Sequence, residues 1–172
     1  MVQRERENIS KIKTGGGNCK IAQNEVGLNH KNNPKNLMEG CIFCKFIKGE
    51  VNAAKIYEDE KFFAFLDIRP LNPGHTLLIP KEHMDYVFDI NEPLYSELFQ
   101  TAKKLAKPIQ NAVGSKRIGV SIEGFGVAHA HVHLIPINHG YEIDPNRAKS
   151  ASPEELNEIA EKIKKELYKL YK

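Results

Sequence analysis

The octapeptide "HAHVHLIP" at residues 129–136 restricts the fold more than any other stretch of the chain. His129, His131 and His133 stand two apart, which places three of the seven histidines in the 172-residue sequence within five positions. Ala130, Val132, Leu134 and Ile135 occupy the gaps. Alternation of this kind has the period of a β-strand, on which residues two apart share a face. The stretch therefore predicts a strand with three imidazoles on one face and apolar packing on the other. Pro136 has no N–H and marks the strand's end or an edge. A solvent-facing polar row would produce the same alternation, but Ser, Thr or Lys would serve such a row equally well.

From Cys41 onward the rest of the pattern is regular. "CIFCKFIKGE" predicts a short helix after a Cys-x-x-Cys knuckle, "AKIYEDE" a short strand and "KFFAFLDI" a buried one. "RPLNPG" is a loop by its prolines and glycine, and "HTLLIPK" and "KRIGVSIEG" are further strands. In "NEPLYSELFQTAKKLAKPIQNAV", Leu94, Leu98, Ala102, Leu105 and Ile109 form one helical stripe, Asn91 is the expected cap, and Pro108 is expected to kink or end the helix. A second helix is expected over 153–171. Ser152 and Glu155 open it as a capping box, and Leu156, Ile159, Ile163, Leu167 and Leu170 share its apolar stripe. This order predicts an α+β fold: a mostly antiparallel five-stranded sheet with helices on one side. The last two strands are too close in sequence for a helical crossover, so they should form a hairpin.

Residues 1–37 differ in character from the rest of the chain. They are rich in Asn, Lys and Gly without a sustained apolar period, which predicts a disordered arm ahead of one domain over 38–172. "KTGGGNCK" lacks the Gly-Lys-Ser/Thr ending of a phosphate-binding loop, and no strand leads into it. The net charge of +3 resides entirely in residues 1–40, with seven Lys or Arg against four Asp or Glu; residues 41–172 carry eighteen of each. A neutral domain gives no bulk argument for nucleic-acid binding, and it argues against a nucleic-acid-binding zinc knuckle. No apolar run approaches the ~18 residues of a membrane span, and no secretory signal is recognisable. The expected protein is cytoplasmic, with neither membrane nor nucleic acid as partner. In a reducing compartment, Cys41-x-x-Cys44 points to metal or redox chemistry rather than a structural disulfide.

"GHTLLIPKEH" followed some fifty residues later by "HAHVHLIP" resembles the histidine triad (HIT) family of nucleotide hydrolases and transferases, over roughly residues 41–138. The resemblance implies that His131 attacks the α-phosphorus of a nucleoside phosphate, phosphoramidate or dinucleoside polyphosphate. It implies that His133 donates to a nonbridging oxygen and that His75 lies beside the triad and helps orient it. Asp67 matches the family's ribose-binding carboxylate, and Ile42, Phe43, Phe46 and Ile68 match the positions that sandwich the base. On the residues alone, those four read equally as core packing, and Asp67 reads as a turn cap before Pro70.

The resemblance further implies that His83 and His129 join Cys41 and Cys44 in a closed Cys2His2 zinc site with a structural role, as in the zinc-containing branch of the family. The alternative is a pair of buried thiols and a surface histidine. It also implies a homodimer with the sheet continued across a two-fold axis, for which a small sheet with an exposed edge and an apolar helix near 94–109 supply a motive. One departure concerns "SIEGFGVAHAH" at 121–131, which lacks the Gly-Gln-Ser or Gly-Gln-Thr segment of many members. The backbone N–H groups of Gly124 and Gly126 are the available substitutes there. Glu123 is either a ribose partner or a strand-end charge, and His139 is expected at the surface. A different function class, a nucleotide-binding sensor or partner-binding protein without turnover, stays open; the presence of His131 favours the enzyme.

Overall fold

A computed structural model describes residues 40–172; the disordered arm expected over 1–37 lies outside the described residues. The elements in chain order are α1 (Ile42–Lys48), β1 (Lys55–Glu58), β2 (Phe62–Leu66), β3 (Thr76–Pro80), α2 (Leu94–Val113), β4 (Arg117–Ser121), β5 (Val132–Ile137) and α3 (Pro153–Tyr171). The strands pair antiparallel in the order β1-β2-β3-β5-β4. This is the expected α+β fold with its five-stranded sheet. The expected hairpin joins β4 to β5, from Arg117 opposite Ile137 to Ser121 opposite His133.

The alternation in β2 divides the interior in two. Phe62, Ala64 and Leu66 point to one face and pack with Leu98, Leu105 and Ile109 of α2 and Ile163 of α3. Phe63 and Phe65 point to the other face, where Phe43 and Cys44 of α1 meet Leu77 and Ile79 of β3. Both long helices thus cover one face. The short α1 covers only part of the other, which leaves room there for a site.

The histidine stretch keeps its expected sidedness but not its expected length. β5 starts only at Val132, and His129 and His131 lie in the segment leading into it. There the backbone bonds outside the ladder: Ala130 N–H donates to the Met84 carbonyl at 2.5 Å, and the His129 carbonyl accepts from the ring of His131. Ala130, Val132 and Leu134 still enter the helix-side core, so the three imidazoles take the opposite side. Pro136 lies within the strand rather than at its end, two residues past the last pairing with β3 at Leu134. Its carbonyl accepts from Asn72 Nδ2 at 2.8 Å, away from the β4 ladder, so the missing N–H interrupts no strand pairing.

The two long helices correct three details. Asn91 is not the cap of α2: Pro93 holds that position, and the carboxylate of Glu92 accepts from Ser96 N–H at 3.1 Å. Pro108 does not end the helix, which runs through to Val113. A proline there leaves the carbonyl of Lys104 without its helical donor, and the hydroxyl of Tyr171 on α3 donates to it at 3.0 Å. In α3 the Ser152–Glu155 capping box forms as expected, with bonds of 3.2 and 2.8 Å. Leu156 and Ile163 are buried and Ile159 and Leu167 partly so, but Leu170 stays 47 % exposed. At that end of the helix Tyr171, not Leu170, meets α2.

The segment after β5 returns along the loop that follows β2. Lys149 N–H donates to the Pro70 carbonyl at 3.3 Å and Ala151 N–H to the Ile68 carbonyl at 3.1 Å. Arg147 bridges Asn72 and Glu142, and the Glu142 carboxylate holds the N–H groups of Asn138 and His139. His139 itself is exposed, as expected. The loop carrying Asp67 and His75 is therefore tied at both ends. Gly74 in it has φ +87°, and a Cβ there would lie 2.9 Å from Val113 Cγ1, so only glycine fits. No helix among the described residues is long and apolar enough to cross a membrane.

Candidate active site and metal centre

The face that α1 leaves open holds a cavity of about 920 Å³. The residues matched to a nucleotide site by their side chains line it: Ile42, Phe43, Phe46, Asp67, Ile68, His75, His131 and His133. They come from α1, the end of β2, the start of β3 and the histidine stretch, so only the folded sheet brings them together.

Hydrogen bonds fix which ring nitrogens carry protons. Leu71 N–H donates to His75 Nδ1 at 3.2 Å, so the proton of His75 is on Nε2. That N–H points to His133 Nδ1 at 2.9 Å, which puts the proton of His133 on its own Nε2. His131 is set the other way: its Nδ1–H donates to the His129 carbonyl at 2.6 Å, leaving Nε2 bare. Two adjacent rings, 5.0 Å apart between centroids, thus differ in character: one has a lone pair and the other a donor at Nε2. The edge-on ring of Phe43 lies 5.6 Å from His131 at 84°.

Burial keeps this relay uncharged. It pushes His133 down to about 4, helped by His75 and His131 and opposed by Asp67. Burial also lowers His75, against the pull of Asp67. Asp67 has two contacts: Oδ1 accepts from Arg69 N–H at 2.8 Å as a turn cap, while Oδ2 is 3.8 Å from His75 Nδ1. The apolar positions also divide. Phe43, 6 % exposed, is core as well as wall, whereas Ile68 is 67 % exposed and presents apolar surface that core packing does not explain.

On the inner side of α1, Cys41, Cys44, His83 and His129 converge, with all four ligand atoms within 4.8 Å of one another. Cys41 Sγ and Cys44 Sγ lie 3.5 and 3.6 Å from His129 Nδ1, and Cys44 Sγ lies 3.3 Å from His83 Nδ1. A tetrahedral zinc with ordinary bond lengths separates its sulfur and nitrogen ligands by about 3.6 Å. The orientation of His129 fits as well: its Nε2–H donates to the Pro80 carbonyl at 2.9 Å, leaving Nδ1 bare toward the thiols. Burial lowers His129 to about 4 and, with Cys41 beside it, raises Cys44 to about 11. Two buried thiolates would need a cation, so the donor set suits a soft dication. Asp67, His75 and His133 also lie within 4.8 Å of one another, but the facing nitrogens of the two histidines are engaged with each other.

Sequence reasoning missed Ser121. It pairs with His133 across the hairpin and lines the cavity. Its hydroxyl lies before Gly124–His129, where the family's polar segment was expected; counting back along the hairpin register would have found it. Glu123 also lines the cavity. The two glycines separate: Gly126 is on the cavity wall, while a Cβ on Gly124 would stand 3.1 Å from the Tyr86 ring.

Residues 48–140 match the HIT domain family. The chain is 37 % identical over 138 residues to Protein hit of Bacillus subtilis, covering 75 % of this chain and 95 % of that one. It is 32 % identical over 149 residues to an adenosine 5'-monophosphoramidase of Candida albicans, covering 76 % and 93 %. Among solved structures, a Zn-bound histidine triad family protein from Mycobacterium smegmatis superposes with a TM-score of 0.67 at 27 % identity, over 77 % of this chain and 96 % of that one.

The depressed value of His133 makes stability pH-dependent. Between pH 6.5, the ordinary imidazole value, and about 4, the unfolded chain binds a proton that the folded chain refuses. Stability should therefore fall as pH drops through that window and level off below it. Urea midpoints measured across the window should drop further for the wild type than for His133→Gln. Identical slopes would mean that His133 titrates like a free imidazole.

Proposed function

This chain belongs to the HIT family, and on that premise we propose that it is a nucleotidyl hydrolase or transferase. It cleaves at the α-phosphate of a nucleoside phosphate, phosphoramidate or dinucleoside polyphosphate through a covalent nucleotidyl-histidine on His131. The observation that carries this reading is the opposed pair of Nε2 atoms, bare on His131 and protonated on His133, in one cavity. The hydrolase name of the Candida albicans relative supports the general class.

In the first step the lone pair of His131 Nε2 forms a bond to the α-phosphorus, and the leaving group departs with its bonding pair. A neutral imidazole is a competent nucleophile near pH 7. The positive charge that develops on the ring is stabilised by the Nδ1–H bond to the His129 carbonyl. The Nε2–H of His133 faces a nonbridging oxygen, backed by the donor of His75. In the second step water attacks the phosphorus, the P–N bond breaks, and its electron pair returns to His131. The base lies against Ile42, Phe43, Phe46 and Ile68, and Asp67 accepts from the ribose hydroxyls.

Cys41, Cys44, His83 and His129 hold a zinc ion in this reading. With four protein ligands and no open position, it would stabilise the fold rather than polarise substrate. The ligands tie α1, the base-side wall, to the segment whose carbonyl orients His131. Residues 38–172 form the working unit, in the cytoplasm, with neither nucleic acid nor membrane as partner; their near-neutral charge supports the part of this that concerns nucleic acid. The partner is a second copy of the chain. β4 is an edge strand with Val120 51 % exposed, and pairing two such edges across a two-fold axis would cover unpaired backbone.

Three outcomes are expected. Two in-line displacements give net retention at a chiral phosphorothioate; His131→Ala loses turnover but still binds nucleotide, and His133→Ala is slower by about 10²–10³. Net inversion, or an active His131→Ala, would mean direct attack by water. Protein purified without added metal should contain about one zinc per chain, as a closed four-ligand site implies. Cys41→Ser should lose both metal and thermal stability, and full zinc in that variant would break the ligand assignment. Light scattering at micromolar concentration should give twice the chain mass; a monomer would refute the dimer.

A further inference from the structure

Arg69 is the only lysine or arginine among the described residues that line the cavity. Its backbone is fixed, because Asp67 Oδ1 accepts from Arg69 N–H at 2.8 Å. Its guanidinium makes no hydrogen bond or ion pair among the described residues, and the residue is exposed. It follows directly on Ile68, whose side chain stands 67 % exposed on the same cavity. On the other side of Ile68, Asp67 turns Oδ2 toward His75 and hence toward the catalytic histidines. Arg69 thus adjoins Ile68, the base-wall residue of the nucleotide reading, and lines the same cavity.

The wall beside Ile68 is apolar. Phe46 and Phe65 meet edge to face at 5.0 Å, with Ile42 and Ile68 on the same wall. Such a slot holds any planar base and distinguishes none, so selection must come from polar groups at its rim. Asn52, next to Ala53 in the Phe46–Phe65 cluster, also lines the cavity. Its carboxamide has both a donor and an acceptor and can turn to suit either purine. Arg69 has donors only.

We propose that Arg69 selects the base and that the preferred base is guanine; the inference rests on the nucleotide reading above. Guanine presents two adjacent acceptors, N7 and O6, which a guanidinium meets with two parallel N–H bonds. Adenine presents N7 beside an amino group, so one N–H of Arg69 would face another donor. Water competes at an exposed arginine, which keeps the preference to about tenfold.

The test is calorimetric binding of GMP, AMP, guanosine and adenosine to the full chain and to its Arg69→Ala and Arg69→Lys variants. Arg69 is exposed and belongs to neither buried cluster, so both variants should fold with unchanged thermal midpoints. GMP should bind about tenfold tighter than AMP. Arg69→Ala should remove that difference by weakening GMP alone, guanosine should behave like GMP, and Arg69→Lys should restore only part of it. Equal weakening of GMP and AMP with unchanged nucleosides would make Arg69 a phosphate clamp and overturn the proposal. No change in either would make it a solvent-facing side chain and overturn the proposal equally. Failure of the wild type to bind any of the four ligands would overturn the nucleotide reading itself.

Discussion

The hydrogen bond from His131 Nδ1 to the carbonyl of His129 is the contact on which the site depends. At 2.6 Å it fixes the ring, removes one nitrogen from play and frees the other. The residue that carries this carbonyl is held through its side chain from two directions. The side chain of His129 donates from Nε2 to Pro80 at the end of β3, and its Nδ1 faces Cys41 and Cys44. One fully buried residue thus joins the sheet, the thiol cluster and the proposed nucleophile. A disturbance of the Cys2His2 cluster would reach the proposed nucleophile through backbone position.

The second constraint is the relay from Leu71 N–H through His75 to His133. It starts at a backbone donor, so its direction is a property of the loop rather than of any titrating group. Burial then keeps His75 and His133 neutral. The loop in turn depends on contacts far from the site in sequence: Asn72 to Pro136 and Arg147, Ile68 to Ala151, and Pro70 to Lys149. The closing segment after β5 therefore shapes the site although none of its side chains is catalytic in the proposed mechanism. The same economy appears at the two structural prolines. Pro108 and Pro136 each break a local rule: Tyr171 donates to the carbonyl that Pro108 leaves without its helical donor, and the N–H that Pro136 lacks falls beyond the last pairing with β3.

The sequence by itself determined the elements, the five-stranded antiparallel sheet and the sidedness of the triad. These follow from local periods of 2 and 3.6 residues, which every compact arrangement must respect. It also limited the candidates for the site, because residues such as Cys41, Cys44 and the three alternating histidines have few other uses. What it left open were choices decided at a distance. Nothing local distinguishes Asn91 from Glu92 as the group that caps α2, or reveals that Tyr171 would satisfy the carbonyl opposite Pro108. Phe43 and Ile68 look alike in sequence, yet the fold buries one in the α1 cluster and leaves the other on the cavity wall. Proton positions on His75, His131 and His133 depend on which backbone groups arrive beside each ring, and Ser121 enters only through strand register. Tertiary structure decided these because each hydrogen bond needs a partner from another element, and pattern along the chain does not encode which element will supply it.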